Sequence, residues 1–140
     1  MNISVLGCGR WGSFHAWYAH RVGHAVTLWG RVGSAHLAQL RAGRTNEFLT
    51  LPEDICLTDD LAEAVLASEI VIISIHAQAL RSFLHDLCAR GLGEELGKRR
   101  IILCMKGLEI GTGKRLSTVV HEELGDDVHP VVWVGPGQVQ

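Results

Sequence analysis

Cysteine is scarce and scattered. Cys8, Cys56, Cys88 and Cys104 stand at wide, irregular intervals, and none forms a Cys-x-x-Cys pair or joins a Cys/His cluster of zinc spacing. That excludes a disulfide framework and leaves four reduced, mostly buried thiols as the expectation. Charge of one sign is lacking too, with 13 Lys+Arg against 15 Asp+Glu for a formal −2. No cationic surface of the kind that neutralises a duplex is available, so no nucleic acid partner is expected. The longest apolar run, Ile70 to Ile75, is far short of the roughly 20 residues that cross a bilayer. Met1 to Gly7 shows no basic segment ahead of its apolar residues, and that run is too short for a signal peptide. No membrane insertion and a cytoplasmic location are therefore expected. The eight histidines repeat no metal-ligand spacing, His20 and His24 being split by Gly23, and no metal is expected. Length is limited as well: 140 residues hold one domain with its own core and exclude a complete two-domain enzyme.

What is present is the composition of a folding domain, 47% hydrophobic and 20% charged. Short β-branched runs alternate with stretches of helical spacing. Ile3, Val5 and Leu6 open a first strand that ends at Gly7. Phe14, Trp17, Tyr18 and Val22 recur at helical spacing and predict the buried face of a helix stopping at Gly23. Ala25 to Trp29 reads as a second strand, followed by a helix around Leu37 and Leu40 that ends near Gly43. Residues 44–53 read as a surface loop and Ile55 to Leu57 as a third strand. Asp60, with Glu63 three residues on, fits a capping box on a helix ending near Ser68. The Val/Ile run from Ile70 to Ile75 predicts a central strand buried on both faces. Leu80, Phe83, Leu84, Leu87 and Cys88 predict a packed helix, and residues 91–100 a polar connection. Ile101 to Met105 is a fifth strand, Leu116, Val119, Val120 and Leu124 a last helix, and Val131 to Val134 a sixth strand. The expected fold class is α/β: a doubly wound, Rossmann-type parallel sheet in the order 3-2-1-4-5-6, helices on both faces, forming one unit over residues 1–140.

Gly7-Cys8-Gly9-Arg10-Trp11-Gly12 matches G-x-G-x-x-G directly after a strand and at the opening of a helix. In that setting Gly7 allows a tight turn, Gly9 lets a pyrophosphate approach the backbone, and Gly12 lets helix and strand pack closely. This reads as a dinucleotide site, with a purely structural turn as the alternative. An Asp or Glu about 20 residues past the turn would hold the 2′-hydroxyl of NAD. The chain has Trp29-Gly30-Arg31 there instead. Arg31 can present a planar fork of donors to a 2′-phosphate, which favours NADP(H) with NAD(H) possible; a solvated surface charge is the other reading. Ser74-Ile75-His76, Lys106-Gly107 and Gly135-Pro136-Gly137 end strands four, five and six and should line the nicotinamide side of the cleft. Lys106 can point its ammonium at an anionic substrate or at a carbonyl gaining charge. His76 reads as a hydrogen-bonded structural histidine ahead of a ligand contact. The four tryptophans fit packing, with Trp11 the exception because the turn carries it beside the pyrophosphate.

Taken in order, the glycine turn, Thr27-Leu28-Trp29-Gly30-Arg31, Thr58 to Ala64, Gln78-Ala79-Leu80-Arg81, Lys106-Gly107-Leu108-Glu109 and Gly135-Pro136 resemble the N-terminal, cofactor-binding half of NAD(P)-dependent glycerol-3-phosphate dehydrogenase. The resemblance covers the whole chain. It implies reversible hydride transfer between NAD(P)H and dihydroxyacetone phosphate, giving sn-glycerol 3-phosphate for phospholipid synthesis. It further implies cofactor contacts at Gly7, Gly9, Arg10, Trp11, Gly12, Arg31, Lys106 and Val139, and substrate contacts at Lys106, Gly135 and Gly137. The family's catalytic lysine belongs to a helical C-terminal domain beyond Gln140, where a homodimer contact would also lie. The chain alone is thus expected to bind cofactor and to turn over barely or not at all. Three positions depart from the family. Arg10 stands where the turn usually has serine, Ile75-His76 replaces Val-Pro, and Gly135-Pro136-Gly137-Gln138-Val139 replaces Gly-Pro-Ser-x-Ala. The alternatives are a non-catalytic NAD(P)-sensing module, a related two-domain reductase such as ketopantoate reductase, and a purely structural α/β domain.

Overall fold

The computed structural model describes residues 1–133. One sheet of six strands runs β1 (Asn2–Leu6), β2 (Ala25–Trp29), β3 (Cys56–Thr58), β4 (Ile70–Ile73), β5 (Arg100–Leu103) and β6 (Val131–Val132). They lie in the order β3-β2-β1-β4-β5-β6, and every neighbouring pair is parallel. This is the doubly wound order read from the alternation, with the reversal between β1 and β4. Among the described residues six α-helices connect the strands: α1 (Arg10–Arg21), α2 (Ala35–Gly43), α3 (Leu61–Leu66), α4 (Leu80–Ala89), α5 (Gly93–Gly97) and α6 (Leu116–Leu124).

Side-chain alternation along the strands divides the interior in two. Ile3, Val5, Val26, Leu28 and Ile72 face α1 and α2, where Ala16, Leu37 and Leu40 meet them. Leu6, Val71, Ile73, Ile101 and Leu103 face the other way, onto α3, α4, α5 and α6. Val71 and Ile73 on one side and Ile72 on the other are all buried, so β4 is the two-faced central strand its composition predicts. The Leu80, Leu84 and Leu87 stripe of α4 is fully buried, each side chain contributing about 1.5–3 kcal/mol by leaving water.

Several expectations are corrected. The buried residues of α1 are Gly12, Ser13, Ala16 and Ala19. Phe14, Tyr18 and Val22 are exposed, and only Trp17, half-buried, packs against the core. The reason is the closeness of α1 to the strand turn. A Cβ on Gly12 would run into the Gly7 carbonyl, and at that separation only small side chains fit between helix and sheet. Phe14 instead stacks on Tyr18 and meets Trp11 edge-on, an aromatic row along the outer face.

The connection expected over residues 91–100 contains α5, whose Leu96 is fully buried. β4 and β5 end before Ile75 and Met105, their last paired residues being Ile73 and Leu103. β3 starts one residue later than expected because it pairs Cys56 with Thr27 and Thr58 with Trp29. Residue Val134, in the expected sixth strand, lies outside the described residues. Half of the capping box forms. Asp60 accepts from the Glu63 amide at 3.1 Å, but the Glu63 carboxylate accepts from the Thr58 hydroxyl, which in turn accepts from the Asp60 amide. α2 ends at Gly43 as expected, and its C-cap is Arg44, which takes a left-handed conformation (φ 58°) and donates from its guanidinium to the carbonyls of Pro52 and Ile55. Of the four free thiols only Cys8 is buried; Cys56 is exposed and Cys88 and Cys104 are half-buried. Among the described residues no helix is long and apolar enough to cross a membrane.

Candidate functional site

Because all six strands are parallel, their carboxyl ends share one edge of the sheet. That edge gathers the glycine turn after β1, Arg31 after β2, residues 74–76 after β4 and Lys106 after β5. Gly7 sits at φ 116°, a conformation that suits glycine, and its amide donates to the Trp29 carbonyl while its neighbour Ser74 donates to Leu6. A Cβ at Gly7 would strike the Ser74 carbonyl, so the turn is pressed between the first and fourth strands. Gly9 differs: nothing lies within 4 Å of where its Cβ would be.

Gly9 is also the N-cap of α1, supplies no side-chain cap, and is followed by a first turn without acidic residues. The first amides of a helix have no partner inside it and carry the positive end of its dipole. An open cradle and uncapped amides together fit an anion, and a pyrophosphate in particular. Arg10 adds a cation at the same point. Its guanidinium lies over the Phe48 ring at 4.3 Å from the centroid and over Trp11 at 5.9 Å. Ser13, fully buried, donates to the Gly9 carbonyl at 2.8 Å and accepts from the Asn46 amide at 2.9 Å.

Nothing in the sequence marks Asn46 or Phe48 as a site residue. They sit in the loop after α2, where Asn46 Oδ1 accepts from the amides of Phe48 and Leu49. An Asn that could turn back on its own backbone is the one local signal, and it says nothing of the contact with Ser13.

Arg31 is exposed after β2, just ahead of α2, and its carbonyl accepts from the Ser34 amide. Its side chain makes no ion pair among the described residues. Lys106 is likewise exposed and makes no hydrogen bond or ion pair among the described residues. Cys104, two residues earlier, has its thiol pushed up to about 11 by burial and is neutral at ordinary pH. His76 departs from the expectation of a hydrogen-bonded structural histidine. It is exposed and caps the single 3-10 turn Ala77–Ala79 through its backbone, with no side-chain cap bond. Trp11 is exposed, and Trp133, expected to pack, is exposed as well, its ring 5.1 Å from that of His15. Burial lowers the pKa of His15 and favours the neutral ring. Gly135, Gly137 and Val139 lie outside the described residues.

Over residues 2–139 the sequence matches the family described as NAD-dependent glycerol-3-phosphate dehydrogenase N-terminus. The chain belongs to this family. Glycerol-3-phosphate dehydrogenase [NAD(P)+] from Thermoanaerobacter sp. (strain X514) is 37% identical over 143 residues, covering 100% of this chain and 41% of the relative. The enzyme of the same name from Geobacillus kaustophilus (strain HTA426) is 36% identical, covering 99% and 40%. Among solved structures, glycerol-3-phosphate dehydrogenase from Coxiella burnetii superposes with a TM-score of 0.73 at 28% identity, over 89% of this chain and 38% of its own. The chain thus spans about two fifths of the length of the curated relatives it matches. Membership of this family displaces the ketopantoate reductase reading.

Proposed function

We propose that this chain is the cofactor-binding domain of a glycerol-3-phosphate dehydrogenase, catalysing hydride transfer between NAD(P)H and dihydroxyacetone phosphate in glycerophospholipid synthesis. The observation that carries the proposal is the open Gly9 cradle at the uncapped start of α1, on the same sheet edge as Arg31 and Lys106, in a chain of this family. A nicotinamide dinucleotide held at this edge would supply the hydride chemistry. The α1 amides and Arg10 hold the pyrophosphate, and Gly7 and Gly12 keep the turn close to the sheet. Arg31 takes the 2′-phosphate and favours NADP(H). Lys106 contacts the cofactor on the nicotinamide side of the cleft, where its ammonium also stabilises negative charge on the substrate oxygen or phosphate. The role of Lys106 rests on its position at the end of β5 and on the family resemblance.

Isothermal titration of the chain with NADPH and NADH tests the binding half of the proposal. Saturable 1:1 binding, lost in Gly9→Ala, is expected; no binding of either nucleotide overturns it. The catalytic half is tested by assaying reduction of dihydroxyacetone phosphate with the chain alone and with the gene product that carries it. A gene product that binds NADPH and never reduces this substrate leaves the sensing module as the better reading.

A further inference from the structure

The ladder between β4 and β5 ends at Ile73 and Leu103, with one more bond from the Cys104 amide to the Ile73 carbonyl at 3.1 Å. Lys106 lies beyond it, at the start of a loop over residues 106–115. That loop closes on itself through the antiparallel bridge of Leu108 with Arg115 and through bonds from the Glu109 amide to Lys114 and from the Gly113 amide to Glu109. None of these bonds fixes its direction relative to the sheet. Two side chains from the segment after β4 do.

The Gln78 amide bonds the loop backbone at two points. Its Nε2 donates to the Leu108 carbonyl at 2.9 Å and its Oε1 accepts from the Ile110 amide at 2.8 Å. It occupies the place a neighbouring peptide group would take in a sheet. Arg81 grips the residue between. Its Nε and Nη2 donate to the two Glu109 carboxylate oxygens at 2.8 and 3.0 Å, a fork-to-fork pair. The same guanidinium donates to Glu122 at 2.6 Å and Glu123 at 3.0 Å, which ties the loop to α6 as well. Residues 108, 109 and 110 are therefore each held from the 3-10 turn Ala77–Ala79 and the first turn of α4.

This cluster lies near the surface, Gln78 exposed and the Arg81 side chain about a third exposed (32%). Ion pairs so placed contribute little to global stability. Their effect is on direction, since a fork geometry fixes orientation as well as distance. We infer that Gln78 and Arg81 are positioning residues for Lys106, fixing the loop that carries it so that its ammonium meets the nicotinamide side of the cleft at a set angle. The inference rests on the proposed role of Lys106. It gives Gln78, Arg81 and Glu109 a role beside the proposed cofactor and substrate contacts.

The test is a set of variants of the chain: Gln78→Ala, Arg81→Lys, Lys106→Ala, and each of the first two combined with Lys106→Ala. NADPH affinity is measured by titration and amide exchange over residues 106–110 by mass spectrometry. In Gln78→Ala and Arg81→Lys, exchange over 106–110 is expected to rise roughly tenfold while the core strands keep their protection. NADPH binding should weaken about threefold to tenfold in the Lys106 background and by less than about twofold once Lys106 is alanine, because residues acting through a third are not additive. A purely structural role would weaken binding equally in both backgrounds, and that result, or unchanged exchange, overturns the inference. Should Lys106→Ala itself leave binding unchanged, the role of Lys106 fails and the inference with it. Should Lys106→Ala weaken binding while Gln78→Ala and Arg81→Lys do not, only the inference fails.

Discussion

The Asn46 side-chain amide donates to the Ser13 hydroxyl at 2.9 Å, fastening the loop after α2 to the first turn of α1 across 33 residues of sequence. Through this bond Phe48 is held against Arg10. Asn46→Ala removes it together with the two bonds that Asn46 Oδ1 accepts from Phe48 and Leu49. The expected cost is about 1–2 kcal/mol, read from the urea midpoint. NADPH should also bind less tightly, since Arg10 loses the nearer of its two aromatic contacts, Phe48. Unchanged affinity would show that Arg10 acts without Phe48.

Gly9 and Gly12 separate folding from binding within one turn. Gly12→Ala forces a methyl group onto the Gly7 carbonyl, which cannot yield without shifting α1 from the sheet. A loss of at least about 3 kcal/mol is expected, with a clear fall in melting temperature. Gly9→Ala meets open space, so melting should hardly change while dinucleotide binding disappears. If Gly9→Ala melts as low as Gly12→Ala, the open cradle is not what the geometry indicates.

Arg31→Ala is expected to weaken NADPH by roughly tenfold or more, the worth of one charge-assisted contact to phosphate, and NADH only slightly. Titration of both nucleotides against both proteins decides the matter. Equal losses would remove the 2′-phosphate from the account of Arg31.

Glu109 predicts the shape of the acid limb. The hydrogen bond from Arg81, then that from Thr112, holds its carboxyl at about 2 against an ordinary 4.5. A carboxylate with a depressed pKa stabilises the fold above its unfolded value and loses that contribution as pH falls through the folded one. The contribution is thus full above pH 4.5 and declines toward pH 2. Glu122, lowered first by Lys114 and then by Arg81, adds to the same limb, and Glu123, Lys114 and Thr112 face the same cluster. Glu109→Gln should melt only slightly below the parent protein at neutral pH, because the pair lies near the surface, with the small gap closing as the pH approaches 2. A gap that stays constant with pH would place the stabilisation in something other than the charge of Glu109.

The parts of the fold that could be read from the sequence are those with a local signature. The Val/Ile run of β4, the Leu80, Leu84 and Leu87 stripe and the glycine turn each carry their pattern within a dozen residues, and strand order follows from alternation and handedness. The hidden face of α1 escapes periodicity, which finds where large apolar residues lie, whereas close packing against Gly7 selects small ones. Lone Leu96, between glycines and charges, gave no period to read. Arg44 ends α2 in a left-handed conformation because two distant carbonyls hold its guanidinium, which no local rule anticipates. The same holds for the site. Gly7, Gly9, Gly12 and Arg31 lie where the motif puts them, but Asn46 reaches Ser13, and Gln78 reaches Leu108, only once the chain has folded back.

The small-residue face of α1 leaves the helix with two sides under unequal constraint. Exchanges at Gly12, Ala16 or Ala19 are felt by the sheet at once, while Phe14, Tyr18 and Val22 stand outside the packing that decides whether the domain folds. The outer row is free to drift in sequence, or to be redesigned with alanine or lysine, without disturbing the turn a few ångströms beneath it. Surface chemistry and folding are separately adjustable on a single helix.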